Sequence, residues 1–317
     1  MGSRIPNMEE SEPTGCPRRS KSAPGALKAA REAGGRPSSG LHIVATPIGN
    51  LRDVTLRALD TLAGADLIAC EDTRVTRKLL AAYGIATPMA AYHEHNADRA
   101  RPRLLERLTT GGCVALVSDA GSPLVSDPGY KLVRAAIAAG LPVSVVPGPS
   151  ASLAALALSG LPTFRFLFTG FLPAKRAQRR RRLIELRSLR ATLLVFETAP
   201  RLAALLADMA QILGPRDAAL CRELTKLHEE VRRGTLAELA AHYRESGPPK
   251  GEMVIVVGPP ADPETLDDAA VDSLLDEMLA HASLRDAAAQ VAAATGRPRR
   301  EIYARALGRA KMRGTRR

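Results

Sequence analysis

Between Leu41 and Pro149, apolar runs short enough to be strands alternate with helical segments, and each run ends in a polar loop. "LHIVA" leads into "TPIGN", "DLIAC" into "EDTR", "VALV" into "SDAGSPLVSDPG" and "LPVSVV" into "PGPSA". Between them "RDVTLRALDTLAGA" carries Val54, Leu56, Leu59 and Leu62 at helical spacing before a Gly stop, and "VTRKLLAAYGI" closes at Gly84. Further helices are expected near 99–108 and 130–139. Alternation of this kind predicts an α/β unit with a mostly parallel sheet covered on both faces. The polar loops then gather at the strands' C-terminal ends, the edge where open α/β sheets bind ligands. The loop from Ser118 to Gly129 is too long and too rich in Gly and Pro for a plain connection, which makes it the first candidate binding loop.

A second α/β unit is expected over 161–260. Its strands are "FRFLFTG", "TLLVFET", "DAALCREL" and "MVIVVG", with polar ends at Glu197, at Arg222 with Glu223, and at Lys250 with Glu252. Together with a first unit over 40–160 this makes two α/β domains with a cleft between them, a size that suits a chain of 317 residues. Residues 1–39 hold hardly any bulky apolar side chains and read as a disordered tail. A helical extension is expected over 261–317, and it is electrically split. Eight acids face Arg285 alone from 261 to 290, and nine bases face Glu301 alone from 291 to 317. Its stretch "SLRDAAAQVAAATGRPRREIYARALGRAK" has helix-turn-helix spacing about Thr295 and Gly296. The basic second helix is either an RNA-docking element, a partner for the acidic stretch before it, or a dimer contact.

Charge sets the class of partner. A formal net charge of +12 suggests a polyanion, while 3% aromatic residues and no Trp argue for charge and backbone contacts over a base-stacking platform. The run "KRAQRRRRLIELRSLR" holds eight bases and one acid, so Lys175, Arg176, Arg179, Arg180, Arg181 and Arg182 are candidate RNA contacts, the alternative being a solvated face. Arg74, Arg201 and Arg222 sit in loop motifs and suit either phosphate or a neighbouring carboxylate. The cysteines at 16, 70, 113 and 221 form no CxxC or Cys/His cluster, as expected of a reduced, cytoplasmic chain without structural zinc. His93 and His95 have no third ligand nearby, so no metal site is expected. No apolar run reaches the length of a membrane span. "TPIGN" lacks the glycines of GxGxxG, and no GxxxxGK[ST] occurs, which disfavours dinucleotide and ATP sites.

Taken in order, "VATPIGNL", "CEDTR", "SDAGSPLVSDPG", "VPGPSA", "FETAPRL", "RELTK" and "KGEMVIVVG" form a series that resembles the tetrapyrrole-methylase superfamily, most closely its ribosomal RNA branch, over about 41–258. The resemblance implies S-adenosylmethionine as cofactor, folded in the cleft between two α/β domains. It also implies methyl transfer to the ribose 2′-oxygen of a cytidine in the decoding region of 16S rRNA. The implied partners are that RNA or the small ribosomal subunit, and a second copy of the chain in a homodimer. Carried over by position, the resemblance implies cofactor contacts at Ile48, at Asp119, Ala120, Gly121 and Ser122, at Ser150 and Ala151, and at Glu197, Cys221, Gly251 and Glu252. S-adenosylmethionine joins a sulfonium, an amino-acid end, a ribose diol and a flat adenine, so its pocket needs apolar walls with a few polar contacts. Asp119 can accept from an amine or a diol, and Gly121 and Ser122 allow close backbone approach. The second "SD", Ser126 and Asp127, is expected to cap the helix beginning near Pro128.

Methyl transfer to a hydroxyl needs in-line positioning and a group to take the proton, but no metal, because the sulfonium is already activated. Glu71, Asp72, Glu197, Glu223 and Lys226 stand at strand ends and are the candidate acceptors. One rival is a precorrin or uroporphyrinogen methylase, which has no use for the arginine run. The other is a non-catalytic RNA-binding ribosome-assembly factor, which has no use for intact "SDAGSP" and "PGPSA" loops.

Overall fold

The computed structural model describes residues 37–260, 268–295 and 297–314. The tail expected over 1–39 lies outside the described residues up to position 36, as does Cys16. The chain forms two units that meet at Pro149 and Ser150.

In the first unit β1 (Gly40–Val44), α1 (Leu56–Gly64), β2 (Leu67–Cys70), α2 (Thr73–Ala82), β3 (Met89–Ala91), α3 (Ala97–Thr109), β4 (Cys113–Val117), α4 (Tyr130–Ala138) and β5 (Val143–Val146) follow one another. The strands lie in the order β3-β2-β4-β1-β5, and every pairing is parallel. Successive side chains of a strand point to opposite faces. In β4, wholly buried, Cys113, Ala115 and Val117 therefore join one core with Leu59, Leu62 and Leu79, while Val114 and Leu116 join another with Leu104, Leu108 and Leu132. The first core carries α1 and α2 and the second α3 and α4, so the sheet is covered on both faces as the alternation predicts. The three-residue edge strand β3 had no counterpart among the expected elements.

The second unit begins earlier than expected. Helix α5 (Ala151–Ser159), placed before the boundary at 160 in the sequence reading, packs on the second sheet. Ala155 and Leu156 are buried, and the Ala155 carbonyl lies 3.7 Å from Cys221 Sγ. Then come β6 (Phe166–Phe171), α6 (Arg176–Leu186), β7 (Thr192–Thr198), α7 (Leu202–Leu213), β8 (Asp217–Arg222), β9 (Glu230–Thr235), α8 (Leu236–Glu245) and β10 (Glu252–Val257). The order is β6-β7-β10-β8-β9, with only β6 and β7 parallel. β9, "EVRRGT", was not expected either, since it lacks an apolar run.

The arginine run forms α6, and one of its members, Arg179, has a packing role. Arg179 is buried, with Nε and Nη2 donating to Asp208 Oδ2 of α7 at 3.0 and 2.6 Å. Arg180 adds Asp208 Oδ1 at 2.9 Å and Gln211 Oε1 at 2.6 Å, and Arg176 lies 3.5 Å from the same carboxylate. Arg181 and Arg182 pair with Glu185 at 3.8 and 2.7 Å on the exposed side. Arg179 thus ties α6 to α7 and is withdrawn from any RNA surface.

Three further helices, α9 (Asp268–Met278), α10 (Leu284–Thr295) and α11 (Arg299–Gly314), share a small core of Val271, Leu275, Val291 and Ile302. The split charge resolves into a ladder. Arg297 reaches Asp268 at 2.6 Å, Arg305 reaches Asp268 and Asp272 at 2.9 and 3.1 Å, and Arg309 reaches Asp272 at 3.0 Å and pairs with Asp276. Acids one turn apart on α9 thus meet Arg305 and Arg309 of the last helix and Arg297 just before it, and these three arginines are engaged within the extension.

Candidate active site

Because the first sheet is parallel throughout, the loops after β1, β2, β3, β4 and β5 all emerge at one edge. Backbone hydrogen bonds join the loops of the neighbouring strands β1 and β4: Thr46 N donates to Gly121 O at 2.8 Å, and Gly121 N to Thr46 O at 3.0 Å. Thr46 Oγ1 also donates to Ser118 O at 3.2 Å. Gly121 is required twice over. Its φ is +80°, and a Cβ there would stand 3.3 Å from Ile48 Cγ2. Asp119 Oδ1 accepts from Asp72 N at 3.0 Å, which fastens the "CEDTR" loop to the same knot. Three of the singled-out motifs therefore form one connected edge. It brings Ile48, Asp119, Ala120, Gly121 and Ser122 into one stretch, with Ile48 and Gly121 buried, Asp119 and Ser122 half-buried and Ala120 exposed.

Four carboxyl groups crowd this edge, and their surroundings separate them. Asp72 caps α2 by accepting from Arg74 N at 2.8 Å, and Arg74 grips it from Nε and Nη2, so hydrogen bonds to Arg74 hold its pKa at about 2. It is a poor proton acceptor, and Arg74 is an ion-pair partner. Glu71 is raised from its ordinary value, first by burial and then by the charge of Asp119. Asp119 is raised by burial, with the Asp72 amide opposing. Asp127 is pushed up to about 6 by burial and by Glu71, against a hydrogen bond from Ser118. The expected capping role of Asp127 does not hold, because α4 starts at Tyr130 behind Gly129 with no side-chain cap. The loop instead turns Asp127 back toward Ser118, through left-handed Leu124 (φ 72°) and Ser126 (φ 68°), a strained path of the sort found at functional sites. Nothing in the sequence signals this fold-back, because Ser-Asp-Pro reads locally as a helix start.

In the second unit the motif residues fall into separate groups. Ser150 caps α5, with Oγ accepting from Leu153 N at 3.5 Å, and Ala151 is the first helical residue. Glu197 is buried, with Oε1 accepting from Thr198 N at 2.8 Å and Oε2 3.1 Å from Arg201 Nη2, which also donates to Leu172 O at 2.6 Å. Cys221 is a fully buried core residue, its thiol pushed up to about 11 by burial, so the side chain is not exposed for ligand contact. Arg222 pairs with Glu230 at 2.9 Å and donates to Lys250 O at 2.9 Å. Lys226 Nζ joins Glu223 Oε1 at 2.8 Å to Glu252 Oε2 at 2.9 Å, and Glu223 Oε1 also accepts from Glu252 N at 3.0 Å. Gly251 has a φ of +106°, a conformation that favours Gly, and a Cβ there would displace the Glu223 carboxyl, 2.4 Å away. The Lys226 hydrogen bond holds Glu223 below its ordinary range. Burial pulls Lys226 down, but Glu223 and Glu252 more than offset it and keep the ammonium high. Neither is poised to accept a proton. Glu71, half-buried and raised, differs in this from Asp72 and Glu223, which their ion-pair partners hold low.

Comparison with known proteins agrees with this architecture. The tetrapyrrole (corrin/porphyrin) methylase family matches residues 40–240, and the RsmI C-terminal HTH domain matches residues 265–310. The chain is 54% identical over 268 residues to a "Ribosomal RNA small subunit methyltransferase I" of Mesorhizobium japonicum, covering 84% of this chain and 91% of that protein. It is 46% identical over 269 residues to a protein of the same name from Halalkalibacterium halodurans, covering 83% and 93%. A crystal structure of uroporphyrin-III-C-methyltransferase from Thermus thermophilus superposes with a TM-score of 0.51 at 24% identity, over 69% of this chain and 94% of that one. That last likeness is one of fold.

Proposed function

The chain belongs to the tetrapyrrole (corrin/porphyrin) methylase family, and from that premise we propose that it transfers a methyl group from S-adenosylmethionine to the ribose 2′-oxygen of a cytidine in the decoding region of 16S rRNA. It is an S-adenosylmethionine-dependent methyltransferase of small-subunit ribosomal RNA. The relatives' shared name favours RNA over a tetrapyrrole as substrate. We place the reaction in the cytoplasm, on the RNA or the small ribosomal subunit, and carried out by a homodimer.

The observation that carries the reading is the knotted edge of the first sheet. Its donor and acceptor set fits the cofactor: the Asp119 carboxylate suits an ammonium or a ribose diol, and the Thr46 to Gly121 bridge, closable only over Gly, leaves backbone close beside the apolar Ile48. In this reading Ile48, Asp119, Ala120, Gly121 and Ser122 hold the cofactor from the first unit. Ser150, Ala151, Gly251 and Glu252 remain proposed cofactor contacts by family resemblance, whereas Cys221, fully buried beside Ala155, serves the packing of its own sheet. S-adenosylmethionine supplies a methyl group already activated on a sulfonium. What the chain adds is alignment and a proton acceptor, for which Glu71 is our choice, since a raised carboxylate near neutral pH takes a proton more readily than an ordinary one. Glu197 keeps the turn after β7 in shape through Thr198 and Arg201.

Calorimetry with S-adenosylmethionine in excess chelator tests the cofactor part. Asp119→Ala should weaken binding roughly ten- to a hundredfold, as the loss of a charge-assisted contact of about 1.5–3 kcal/mol requires. Unchanged affinity would remove Asp119 from the site.

A further inference from the structure

The arginines most conspicuous in the sequence are largely engaged by acids, whereas three inconspicuous ones are not. Arg99, Arg103 and Arg107 stand at i, i+4 and i+8 on α3, all exposed, and no acid pairs with them among the described residues. The α3 ion pair is instead Arg101 with Asp98 at 3.1 Å. Arg99, Arg103 and Arg107 line a groove of about 950 Å³ in the first unit, facing Leu67, Ala90 and Ala91 of the edge strands and the turn into β4. The acids of its lining are Asp66 and Glu106, and Asp66 Oδ2 already accepts from Cys113 N at 2.8 Å.

The geometry suits a polyanionic strand. At 1.5 Å rise per residue, guanidinium stems four residues apart repeat every ~6 Å along the helix, about 12 Å over the three. A guanidinium fork takes a phosphate oxygen pair bidentately. The lining holds no aromatic side chain, so the groove has nothing on which a base would stack, and its apolar floor is aliphatic, of alanines with Leu67 and Leu104. The lip is fixed at one end: Gly112 N donates to Arg107 O at 2.9 Å, and a Cβ at 112 would lie 2.7 Å from that oxygen and 2.8 Å from Arg107 Cγ.

At the other end the groove reaches the loop edge. Asn96, part of its lining, donates to Ala91 O at 2.9 Å and accepts from His93 N at 2.9 Å, holding the turn after β3. We propose that this groove is a track for the phosphodiester backbone of the rRNA substrate, gripped by Arg99, Arg103 and Arg107 and leading along α3 to the loop edge of the first sheet. The proposal rests on the reading of the chain as an rRNA methyltransferase.

The test is the triple variant Arg99→Gln, Arg103→Gln, Arg107→Gln in the full chain, beside a charge-matched control with Arg134, Arg165 and Arg244 changed to Gln. Binding of 16S rRNA is measured across a salt series, with S-adenosylmethionine affinity, the circular dichroism spectrum and methylation of small subunits measured in parallel. Each lost phosphate contact lowers the salt slope by about 0.7 to 0.9, so the groove variant should lose about 2 to 3 and the control well under 1. Cofactor affinity and the spectrum should match wild type, and methylation should show a raised KM for RNA. Equal slopes in the two variants, or a slope unchanged from wild type while wild type itself methylates small subunits, overturns the track. Binding of free phosphate or of acidic peptide with no effect on RNA also overturns it. A wild-type chain that neither binds nor methylates rRNA overturns the underlying reading and the track with it.

Discussion

Replacing Arg179 by Ala separates a structural arginine from an RNA contact within one basic run. Arg179 and Asp208 have side chains only 6% and 3% exposed, and the guanidinium places two nitrogens on one carboxylate oxygen. Removing one partner of a buried pair costs about 3–5 kcal/mol, because the remaining charge stays buried. Here Arg180 and Arg176 still reach Asp208 Oδ1, so the low end, about 3 kcal/mol, is expected. At 2–4 °C per kcal/mol for a unit of this size, the melting transition of the second unit should fall by about 6 to 12 °C. Arg181→Ala and Arg182→Ala break exposed pairs with Glu185 and should each change stability by under about 1 kcal/mol. Burial pushes Asp208 up, but Arg179 and Arg180 pull it further down, so its pKa lies below the ordinary 3.8. A lowered folded pKa means that the pairing stabilises above about pH 4 and is lost as pH falls through the folded value. The variant should therefore also show a shallower acid limb. Thermal melts followed by circular dichroism, from pH 3 to 7, read both effects. An Arg179→Ala melt within about 2 °C of wild type would refute the structural assignment.

Glu71→Gln should lower kcat by roughly 10²- to 10⁴-fold, the range for a lost general base, while calorimetric cofactor affinity stays near wild type. A kcat within threefold of wild type would dismiss Glu71 as the acceptor. Asp127 is raised from 3.8 to about 6, so the folded state holds its proton more tightly and stability falls as pH rises through that window. Asp127→Asn should flatten the slope and stabilise the chain at pH 8 by about 2 kcal/mol: two pKa units at about 1.4 each, reduced for partial exposure. Parallel pH-dependent melts of the two proteins would contradict that reading.

Much of the first unit could be read from residues, because its strands are apolar along their length and its helices are amphipathic, the two periods that binary patterning exposes. What escaped was short or polar. β3 spans three residues, and β9 carries Glu230, Arg232 and Arg233, so neither shows an apolar run. The unit boundary was misplaced because α5, "ASLAALALS", has no charged face to tell which sheet it covers. The loop knot around Thr46, Gly121 and Asp119 was legible as separate motifs at strand ends, but its internal bonds depend on strand order, with β1 beside β4. Roles within the charged runs were the least legible. Whether an arginine meets an aspartate 29 positions away, as Arg179 meets Asp208, is decided by helix packing and not by local composition.

The central claim is ribose methylation of small-subunit RNA by this chain, and its most direct measurement is mass mapping of 16S rRNA. Small subunits from cells lacking the protein are incubated with the purified chain and S-adenosylmethionine, digested, and compared with untreated subunits. The account predicts one new methyl group, on the 2′-oxygen of a cytidine in the decoding region, abolished in Asp119→Ala at low cofactor concentration and strongly reduced in Glu71→Gln. A methyl group on a base, transfer to a tetrapyrrole in place of RNA, or no transfer at all would contradict it.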